Sequence, residues 1–228
     1  MKLLVTILVL TIISQGCSNK QQEKPLSAEE IAVYGNVFRP DLSNAYNHKG
    51  VWAFTKDGIL SAEEDKGLWT KKQYENFILE LDFKNEPGAN SGVFVYGSDL
   101  RKWMLYSVEI QITDDFSEKW AKSPDTWHCG AIFGHLAPTH SAVKKPGEWN
   151  HYKITCKGQN ITVELNEDTV TQMDMSKWTS ATKNPDGSKI PSWMKIPYAE
   201  LPTKGHIGLQ GKHAGVKVYF RNINIREL

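Results

Sequence analysis

Every second residue from Phe77 to Phe83 is a phenylalanine or a leucine, and the turn residues Asn85-Glu86-Pro87-Gly88 follow soon afterwards. Successive side chains of a β-strand point to opposite faces, so this alternation predicts a strand with one face in a core. The polar residues between them, such as Glu80 and Asp82, fit the opposite face. The chain is therefore expected to build a half-buried sheet.

Short stretches of strand-like composition recur between Gly, Pro and Asn turns. They cover residues 91–96, 106–113, 130–133, 151–157, 161–165, 169–173, 206–210 and 216–225. Only residues 28–34 look helical, so the chain is predicted to be all-β, with two antiparallel sheets packed as a sandwich. Residues 157–160 predict a tight hairpin, and a change of parity in the last strand predicts a bulge near Arg221.

The N-terminus has the composition of a bacterial export signal. Lys2 precedes an apolar run over residues 3–13, which is far shorter than the roughly 20 residues that span a membrane. Gly16-Cys17 resembles a lipoprotein processing site, although Ser14 stands where such sites usually carry leucine. We therefore expect a signal peptide over residues 1–16, a tether with a short helix over residues 17–36, and a folded domain over residues 37–228.

A lipid on Cys17 would hold the protein in the bacterial cell envelope, at the periplasmic or the outer-membrane face. The lipid anchor is then the expected contact with the membrane, and the alternative is a free secreted product. Without Lys2, the 27 basic and 26 acidic residues become equal in number. Neutrality argues against nucleic acid as a partner, because phosphate binding needs a basic surface. Cys129 and Cys156 could form a disulfide in this compartment or stay as buried thiols.

Residues 106–115 combine a predicted strand with a candidate site. The apolar residues of this stretch share one parity, Glu109 and Gln111 share the other, and Asp114 and Asp115 follow. Glu109 and Gln111 therefore line one face of the strand, which is either a reactive surface or an ordinary solvated one. Asp114 and Asp115 could bind a calcium ion together with backbone carbonyls, or they could be exposed turn residues.

Tryptophans are more numerous than a small sandwich core usually holds, with 8 in the chain. Exposed indole rings stack on the apolar faces of sugars, and Trp69 and Trp103 are expected beside loops where a ligand could reach them. Trp193 lies in residues 174–204, a long segment that breaks the strand rhythm. Such a segment is expected to border a site or to cover the edge of a sheet.

Eight motifs follow one another between residues 67 and 223. They are Gly67-Leu68-Trp69-Thr70, residues 76–84, Asn90-Ser91-Gly92-Val93-Phe94, Val108-Glu109-Ile110-Gln111-Ile112, Gly130-Ala131-Ile132-Phe133, Gly147-Glu148-Trp149-Asn150, Ile207-Gly208-Leu209-Gln210 and Phe220-Arg221-Asn222-Ile223. Their order resembles that of the 3-keto-disaccharide hydrolase domain family, over roughly residues 37–228. The resemblance implies a concanavalin A-like jelly-roll fold, a carbohydrate substrate and the cleavage of sugars already oxidised at C3.

The resemblance also assigns roles to side chains. A carbonyl at C3 acidifies the proton on C2, so elimination of the group on C1, followed by hydration, becomes an alternative to direct hydrolysis. Such an enzyme needs an acid or base, here Glu109, and a group that stabilises an enolate, here His213 or Arg221. The expected substrate-binding residues are Gln111, Asn90, Trp69, Trp103 and Trp193.

Several alternatives stay open at this stage. A two-carboxylate glycosidase could use Glu109 and Asp114, although their opposite parity requires a bulge between them. Arg221 could form a structural salt bridge, and His213 could be a solvated loop residue in a loop that departs from the family pattern. No cofactor is certain, and a divalent metal ion is one way to stabilise the enolate. The alternative function is a non-catalytic carbohydrate-binding module of the same fold.

Overall fold

The computed structural model describes residues 34–228, and its regular structure is almost entirely β. The strands are β1 (Gly35–Asn36), β2 (Ala45–Tyr46), β3 (Trp52–Phe54), β4 (Leu60–Ala62), β5 (Leu68–Tyr74), β6 (Phe77–Asn85), β7 (Asn90–Gly97), β8 (Val108–Thr113), β9 (Trp149–Lys157), β10 (Asn160–Leu165), β11 (Asp168–Asp174), β12 (Gly205–Leu209) and β13 (Val218–Glu227). One short helix, α1 (Glu118–Ala121), lies in a connection, as do 3-10 turns at Leu100–Lys102, Asp125–Trp127, Met175–Lys177 and Tyr198–Glu200.

These strands form two antiparallel sheets, as the sequence predicts. The eight-stranded sheet has the order β11-β10-β9-β6-β13-β4-β3, and β1 pairs with β13. The five-stranded sheet has the order β2-β5-β12-β7-β8. Strands that are neighbours in space are often distant along the chain, since β12 lies between β5 and β7. The fold is a jelly-roll sandwich of the concanavalin A-like class.

The alternating residues of β6 form the centre of the core. Phe77, Leu79, Leu81 and Phe83 are fully buried, and they belong to one hydrophobic cluster that includes residues of both sheets. Phe83 pairs with Phe220 of β13 across the sheet. Complete burial of a phenylalanine or leucine side chain stabilises the folded state by about 1.5–3 kcal/mol, which explains why the sequence pattern is strictest here.

Most of the predicted strands are confirmed, with one exception at residues 130–133. This segment runs beside β8 and bonds to it through Gly130 N and Phe133 N, but only Ile132 forms a bridge, with Ile110. Gly130 has a φ of 90°, which is incompatible with a regular strand. In addition, the patterns did not predict β1 to β4, which are two or three residues long, or β5, whose centre is polar.

The hairpin and the bulge are both confirmed. Lys157 pairs with Asn160, which leaves a two-residue loop between β9 and β10. The register between β13 and β6 shifts between Arg221 and Asn224, and Asn222 adopts a left-handed φ of 52°. Cys129 and Cys156 are free, buried thiols, so the disulfide alternative is not realised.

The predicted signal peptide and most of the predicted tether and helix lie outside the described residues. Gly35 and Asn36, which we assigned to the tether, form β1, so the sandwich begins just before the expected start at residue 37. Within residues 34–228, no helix is long and apolar enough to cross a membrane.

Candidate active site

The outer face of the five-stranded sheet carries a row of residues contributed by four neighbouring strands. Cross-strand pairing aligns Trp69 of β5 with Gly208 of β12, Gly208 with Phe94 of β7, and Phe94 with Glu109 of β8. The residues that flank Phe94 and Glu109 along their strands are buried in the core. The row therefore forms the floor of a cleft on the outside of the sandwich.

Two adjoining cavities make up this cleft, and we name each after one residue. The Glu109 pocket has a volume of about 580 Å³ and is lined by Glu109, Gln111, Asn90, Trp127, Trp193 and His213, among others. The Tyr46 pocket has a volume of about 940 Å³ and is lined by Tyr46, Lys66, Trp69, Asp99, Arg101 and His206, among others. The residues that line both are Asp65, Phe94, Trp103 and Gln210, so the pockets open into each other.

Glu109 is surrounded by protein atoms yet still reaches the cleft, where its side chain is partly exposed. Burial alone raises the pKa of its carboxyl group to about 8, because the ionised form would lose hydration and no cation within residues 34–228 compensates for it. At neutral pH the group therefore keeps its proton. A protonated carboxyl group in a cleft is able to act as a general acid.

Two glycines give Glu109 and Trp69 the room they occupy. A Cβ atom on Gly92 would lie 2.3 Å from Oε1 of Glu109, and one on Gly208 would lie 2.5 Å from the indole ring of Trp69. Both side chains therefore lie flat over the backbone of an adjacent strand. The two glycines therefore deepen the cleft beneath the carboxyl group of Glu109 and beneath the indole ring of Trp69.

Aromatic rings line both pockets, in the floor as well as in the walls. Trp69 stacks on Phe94 with ring centroids 5.2 Å apart, and Trp103 lies edge-on to Phe94 at 4.9 Å. In the Glu109 pocket, Trp127 is packed edge-on against Trp193, whose side chain is 44% exposed. The structure thus brings the predicted residues Trp69, Trp103 and Trp193 into one cleft. Trp69 is only 6% exposed, so Trp103 and Trp193 are the predicted rings with more surface open to the apolar face of a sugar.

Two glutamine side chains in the cleft lack hydrogen-bond partners. The Oε1 atoms of Gln111 and Gln210 are both buried and make no hydrogen bond to any residue within 34–228. Gln111 is only 1% exposed, and its backbone carbonyl is held by the Tyr152 hydroxyl, which donates to it over 2.6 Å. Buried amide groups are nearly always satisfied in folded proteins. Their unpaired Oε1 atoms have almost no accessible surface, so a ligand hydroxyl would reach them only after a rotation of the side chain.

His213 lines the Glu109 pocket beside the end of β7. Its Nδ1 atom is 2.8 Å from Oδ2 of Asp65, and the backbone of His213 bridges to Asn90 of β7. Nδ1–H donates to the carboxylate, which leaves Nε2 free to accept a proton. The predicted residues Glu109, Gln111, Asn90 and His213 thus come together around one cavity.

Asp114 and Asp115 hold backbone groups. Asp114 accepts hydrogen bonds from Gly88 N and Phe116 N, at 2.7 and 3.1 Å. Asp115 accepts from Cys129 N and from the Thr113 hydroxyl, and burial raises the pKa of its carboxyl group. Both carboxylates therefore fix the loop after β8. Within residues 34–228, no group of three or more His, Cys, Asp or Glu side chains is arranged to hold a metal ion.

Arg221 does not belong to the cleft, contrary to the sequence prediction. It lies on the outer face of the eight-stranded sheet, where Nε donates to Oδ2 of Asp82 over 3.0 Å and the guanidinium covers the Trp149 ring. Burial disfavours ionisation of Asp82, but hydrogen bonds from His151, Asn222 and Arg221 hold the pKa of its carboxyl group below the ordinary value. The bulge therefore orients Arg221 toward Asp82. Arg221 forms a structural salt bridge, which was the alternative interpretation of this residue.

The segment over residues 174–204 borders the Glu109 pocket through Trp193 and Met194. Tyr198 of the same segment is buried and stacks on His135, with ring centroids 3.7 Å apart. Burial, and secondarily the nearby Glu109 carboxyl group, raises the pKa of the Tyr198 phenol. This segment therefore lines the cleft and does not merely cover a sheet edge.

Among the cleft residues to which the sequence analysis assigned no role are three that line both pockets: Asp65, Phe94 and Gln210. Phe94 shares its parity with Asn90 along one strand, and Gln210 ends a motif quoted above, so strand parity could have found both. Asp65 lies in a polar turn in which Glu63 and Glu64 precede it, and nothing in that turn distinguishes it. Its position next to His213 depends on contacts between segments far apart in the chain.

Comparison with known proteins identifies the class to which this fold and cleft belong. The chain belongs to the family described as the 3-keto-alpha-glucoside-1,2-lyase-like domain, which matches residues 38–226. A Bacteroides thetaiotaomicron protein named 3-keto-disaccharide hydrolase is 28% identical over 204 residues, which cover 78% of this chain and 68% of the relative. The resemblance stated from the motifs is therefore confirmed.

Solved structures give the same fold. A Parabacteroides distasonis protein, provisionally named a glycosyl hydrolase, is 57% identical with a TM-score of 0.83, over 86% of this chain and 99% of that one. A second protein from the same organism, with the same provisional name, has a TM-score of 0.70 at 23% identity, over 89% and 98% of the two chains. The latter shows the fold alone.

Proposed function

We propose that this protein cleaves 3-keto-glycosides, with Glu109 as the general acid of the reaction. The observation that carries the proposal is the Glu109 carboxyl group, which lies at the floor of a tryptophan-lined cleft and has no compensating charge in the described part of the chain. Its raised pKa keeps a proton available at neutral pH. The names of the family and of the relatives, which refer to 3-keto sugars and to glycosyl hydrolases, support the same substrate class.

In this proposal the keto ring lies over Glu109, and His213 takes the proton from C2. The carbonyl at C3 accepts the resulting electron pair as an enolate, which then collapses to form a C1–C2 double bond as the C1–O bond breaks. The departing oxygen receives the proton of Glu109. Water then adds across the double bond, with oxygen to C1 and hydrogen to C2, and the sum of the steps is hydrolysis. Asp65 orients His213 through its bond to Nδ1, so Nε2 is the atom that accepts the proton from C2.

Gln111, Gln210 and Asn90 are the polar groups that would bind the ring hydroxyls. The Oε1 atoms of the two glutamines have no hydrogen-bond partner within residues 34–228, so a sugar hydroxyl that met them after a side-chain rotation would replace no existing hydrogen bond. Trp193 and Trp127 would cover the ring from the loop side. These contacts fix the ring relative to Glu109, which is the positioning that proton transfer requires.

The test is Glu109→Gln, assayed on a 3-keto-glucoside. Loss of a general acid typically lowers the rate by about 10²- to 10⁴-fold, while glutamine preserves the size of the side chain. The matched control is Glu118→Gln on α1, whose side chain pairs with Lys122 outside the cleft. Full turnover by Glu109→Gln would contradict the proposal.

Solvent deuterium separates elimination from direct hydrolysis. Elimination followed by hydration places a deuteron from D₂O on C2 of the product, whereas direct hydrolysis leaves the original hydrogen there. The product must be analysed early, and unreacted substrate serves as the control for spontaneous exchange beside the carbonyl. A product without deuterium would replace the elimination steps by direct hydrolysis and would leave the acid role of Glu109 in place.

A non-catalytic carbohydrate-binding protein is the second candidate, because the tryptophans and the free amides would serve binding equally well. Binding alone gives no reason for an uncompensated carboxyl group at the floor of the cleft, where it costs stability whenever it ionises. Sugar binding without any turnover of 3-keto-glycosides by the wild-type protein would favour this second function.

We also propose that the mature protein is a lipoprotein of the bacterial cell envelope, attached through Cys17. Support comes from the sequence alone: Lys2, the short apolar run and the Gly16-Cys17 junction. Replacement of Cys17 by serine should abolish labelling with a fatty-acid probe and release the protein from the membrane fraction. Lipid labelling that persists in this variant would exclude Cys17 as the attachment point.

A further inference from the structure

We propose that Tyr198 is a positioning residue for Glu109, and that its hydroxyl group donates a hydrogen bond to the carboxylate that forms when this acid gives up its proton. The inference rests on the proposed function, because it takes Glu109 as the general acid. In that reaction the acid becomes a buried anion, which is unfavourable unless a hydrogen-bond donor meets it. A donor beside Glu109 would therefore make the proton transfer easier.

A series of contacts places Tyr198 beside Glu109. The backbone N of Phe133 donates to Glu109 O over 3.0 Å, and Phe133 O accepts from Nδ1 of His135 over 2.8 Å. The Tyr198 ring stacks on the His135 ring, with centroids 3.7 Å apart and an interplanar angle of 15°. The Glu109 carboxyl group is close enough to contribute to the raised pKa of the Tyr198 phenol. The loop that bonds to β8 thus also supports the tyrosine that lies near the acid.

The Tyr198 hydroxyl is a donor without an acceptor. The oxygen atom is buried and makes no hydrogen bond to any residue from 34 to 228, and Tyr198 as a whole is only 2% exposed. Burial raises the pKa of the phenol, so the hydroxyl keeps its proton when Glu109 ionises. A buried hydroxyl without a partner lowers the stability of the folded protein. This donor is therefore available to a group that becomes an acceptor during the reaction.

The charged groups of the pocket do not supply the same stabilisation. Among the described residues that line the Glu109 pocket there is no lysine or arginine, and the other titratable ones are Asp65 and His213. His213 becomes cationic when it takes the proton from C2, but Asp65, to which it is bonded, balances that charge. Burial lowers the pKa of His135 to about 4, so the ring that stacks on Tyr198 is neutral near pH 7. A neutral hydroxyl donor therefore has a role that these groups leave open.

Tyr198 keeps its own proton throughout the proposed reaction. Glu109 transfers its proton to the departing oxygen, and the new carboxylate accepts a hydrogen bond from Tyr198, directly or through one water molecule. When water adds, its oxygen bonds to C1, one of its protons returns to Glu109, and His213 returns a proton to C2. Tyr198 thus acts through Glu109 and not on the sugar.

Tyr198→Phe removes the hydroxyl and keeps the ring that stacks on His135. We expect the Glu109 carboxyl carbon, followed by carbon-13 NMR, to titrate about one pH unit higher than in the wild type, because the ionised form loses a donor. The spectrum of Glu109→Gln identifies the signal. The variant should melt at the wild-type temperature or above it, since the change removes an unpartnered buried hydroxyl.

Tyr96→Phe is the matched control. Tyr96 is also buried, but its hydroxyl donates to Gly158 O over 2.7 Å, and the residue lines neither pocket. This variant should melt at a lower temperature, because Gly158 O loses its donor, and should leave the titration of Glu109 unchanged.

Kinetics on a 3-keto-glucoside provide the second measurement. In Tyr198→Phe the alkaline limb of kcat/KM should move to higher pH by the same amount, and kcat should fall about tenfold. Unchanged titration of Glu109 in Tyr198→Phe would overturn the inference, even if turnover that depends on Glu109 establishes the proposed function. A shifted titration in a protein that turns over no 3-keto-glycoside would exclude the catalysis and retain the pairing of Tyr198 with Glu109.

Discussion

Gly92 lies directly beneath the carboxyl group of Glu109. A Cβ atom on Gly92 would stand 2.3 Å from Oε1 and 2.8 Å from Cγ of Glu109, closer than non-bonded atoms approach. The two residues belong to the adjacent strands β7 and β8, and both face the cleft. The position of the carboxyl group is therefore determined by the absence of a side chain on the neighbouring strand.

Gly92→Ala is expected to displace Glu109 and to lower kcat on a 3-keto-glucoside by about 10²-fold or more, because a misplaced acid cannot reach the departing oxygen. The Glu109 side chain borders open space and can rotate, so the variant should still fold. Circular dichroism and steady-state kinetics measure the two effects. Gly35→Ala is the matched control, since a Cβ atom there would meet nothing within 4 Å. Wild-type kinetics in Gly92→Ala would mean that the acid is elsewhere.

The pH dependence of kcat/KM should report the ionisation of Glu109. The pKa of about 8 keeps the group protonated in the free enzyme at neutral pH, and an acid is lost once it ionises. We therefore expect kcat/KM to fall as pH rises above about 8, by roughly tenfold per pH unit. Glu109→Gln should lack this limb. A rate that rises through the same pH range would assign Glu109 as the base instead.

Folding stability should also depend on Glu109, and in a defined direction. The folded-state pKa of about 8 lies above the ordinary value of 4.5, so the folded state binds the proton more tightly than the unfolded chain does. The stability from this proton is complete below about pH 4.5 and is lost as pH rises toward 8. Relative to Glu109→Gln, the wild type should lose a few kcal/mol of unfolding free energy over this range.

Denaturant unfolding of both proteins at about pH 4 and about pH 9 measures this difference. Glu109→Gln is the reference for the wild type, because the two proteins share all other titrating groups. A difference in stability that does not change between the two pH values would show that Glu109 titrates normally in the folded protein.

Arg221→Met tests whether Arg221 has a structural role on the eight-stranded sheet or a catalytic one. Methionine keeps an apolar stem over the Trp149 ring but removes the bond to Asp82, which still has His151 and Asn222 as partners. We expect a loss of about 1 kcal/mol in unfolding free energy and activity within about twofold of wild type. Arg39→Met, at an exposed position, controls for the loss of positive charge. A large loss of activity without destabilisation would return Arg221 to the catalytic residues.

The turn between β10 and β11 contains two non-glycine residues with left-handed backbone, Asn166 at φ 53° and Glu167 at φ 74°. Asparagine tolerates this conformation better than glutamate does, because its short side chain bonds locally. Glu167→Gly should therefore stabilise the fold by up to about 1 kcal/mol, or raise Tm by about 2–4 °C. Thermal unfolding measures it. Gly158→Ala, which introduces a side chain at a positive φ, should have the opposite effect.

Strand parity predicted most of the fold because each sheet buries one face. β6 shows this most clearly, since its apolar residues are all within the core. β5 was not recognised because Lys71, Lys72 and Gln73 are exposed on an edge-side stretch where no burial constrains the sequence. Residues 130–133 looked like a strand, but the bend at Gly130 depends on how the loop packs against Val170.

The candidate site was predictable in part for the same reason. Glu109 and Gln111 lie on a regular strand, so their shared face follows from parity. Arg221 also lies on a strand, but parity cannot tell which of two sheets a strand joins, and β13 joined the sheet without the cleft. The pairing of Asp65 with His213 joins two loops separated by more than half of the chain, and local sequence carries no information on such contacts.

The two buried cysteines also bear on how the protein can be made and probed. Because Cys129 and Cys156 are unpaired, the domain needs no oxidant to reach its native state, and a version that begins at residue 34 can be produced in a reducing cytoplasm. Burial raises the pKa of the Cys129 thiol to about 12, so this thiol stays protonated in the folded domain and does not react with alkylating reagents. The rate at which such a reagent modifies the two thiols then measures the rate of unfolding, with no engineered label required.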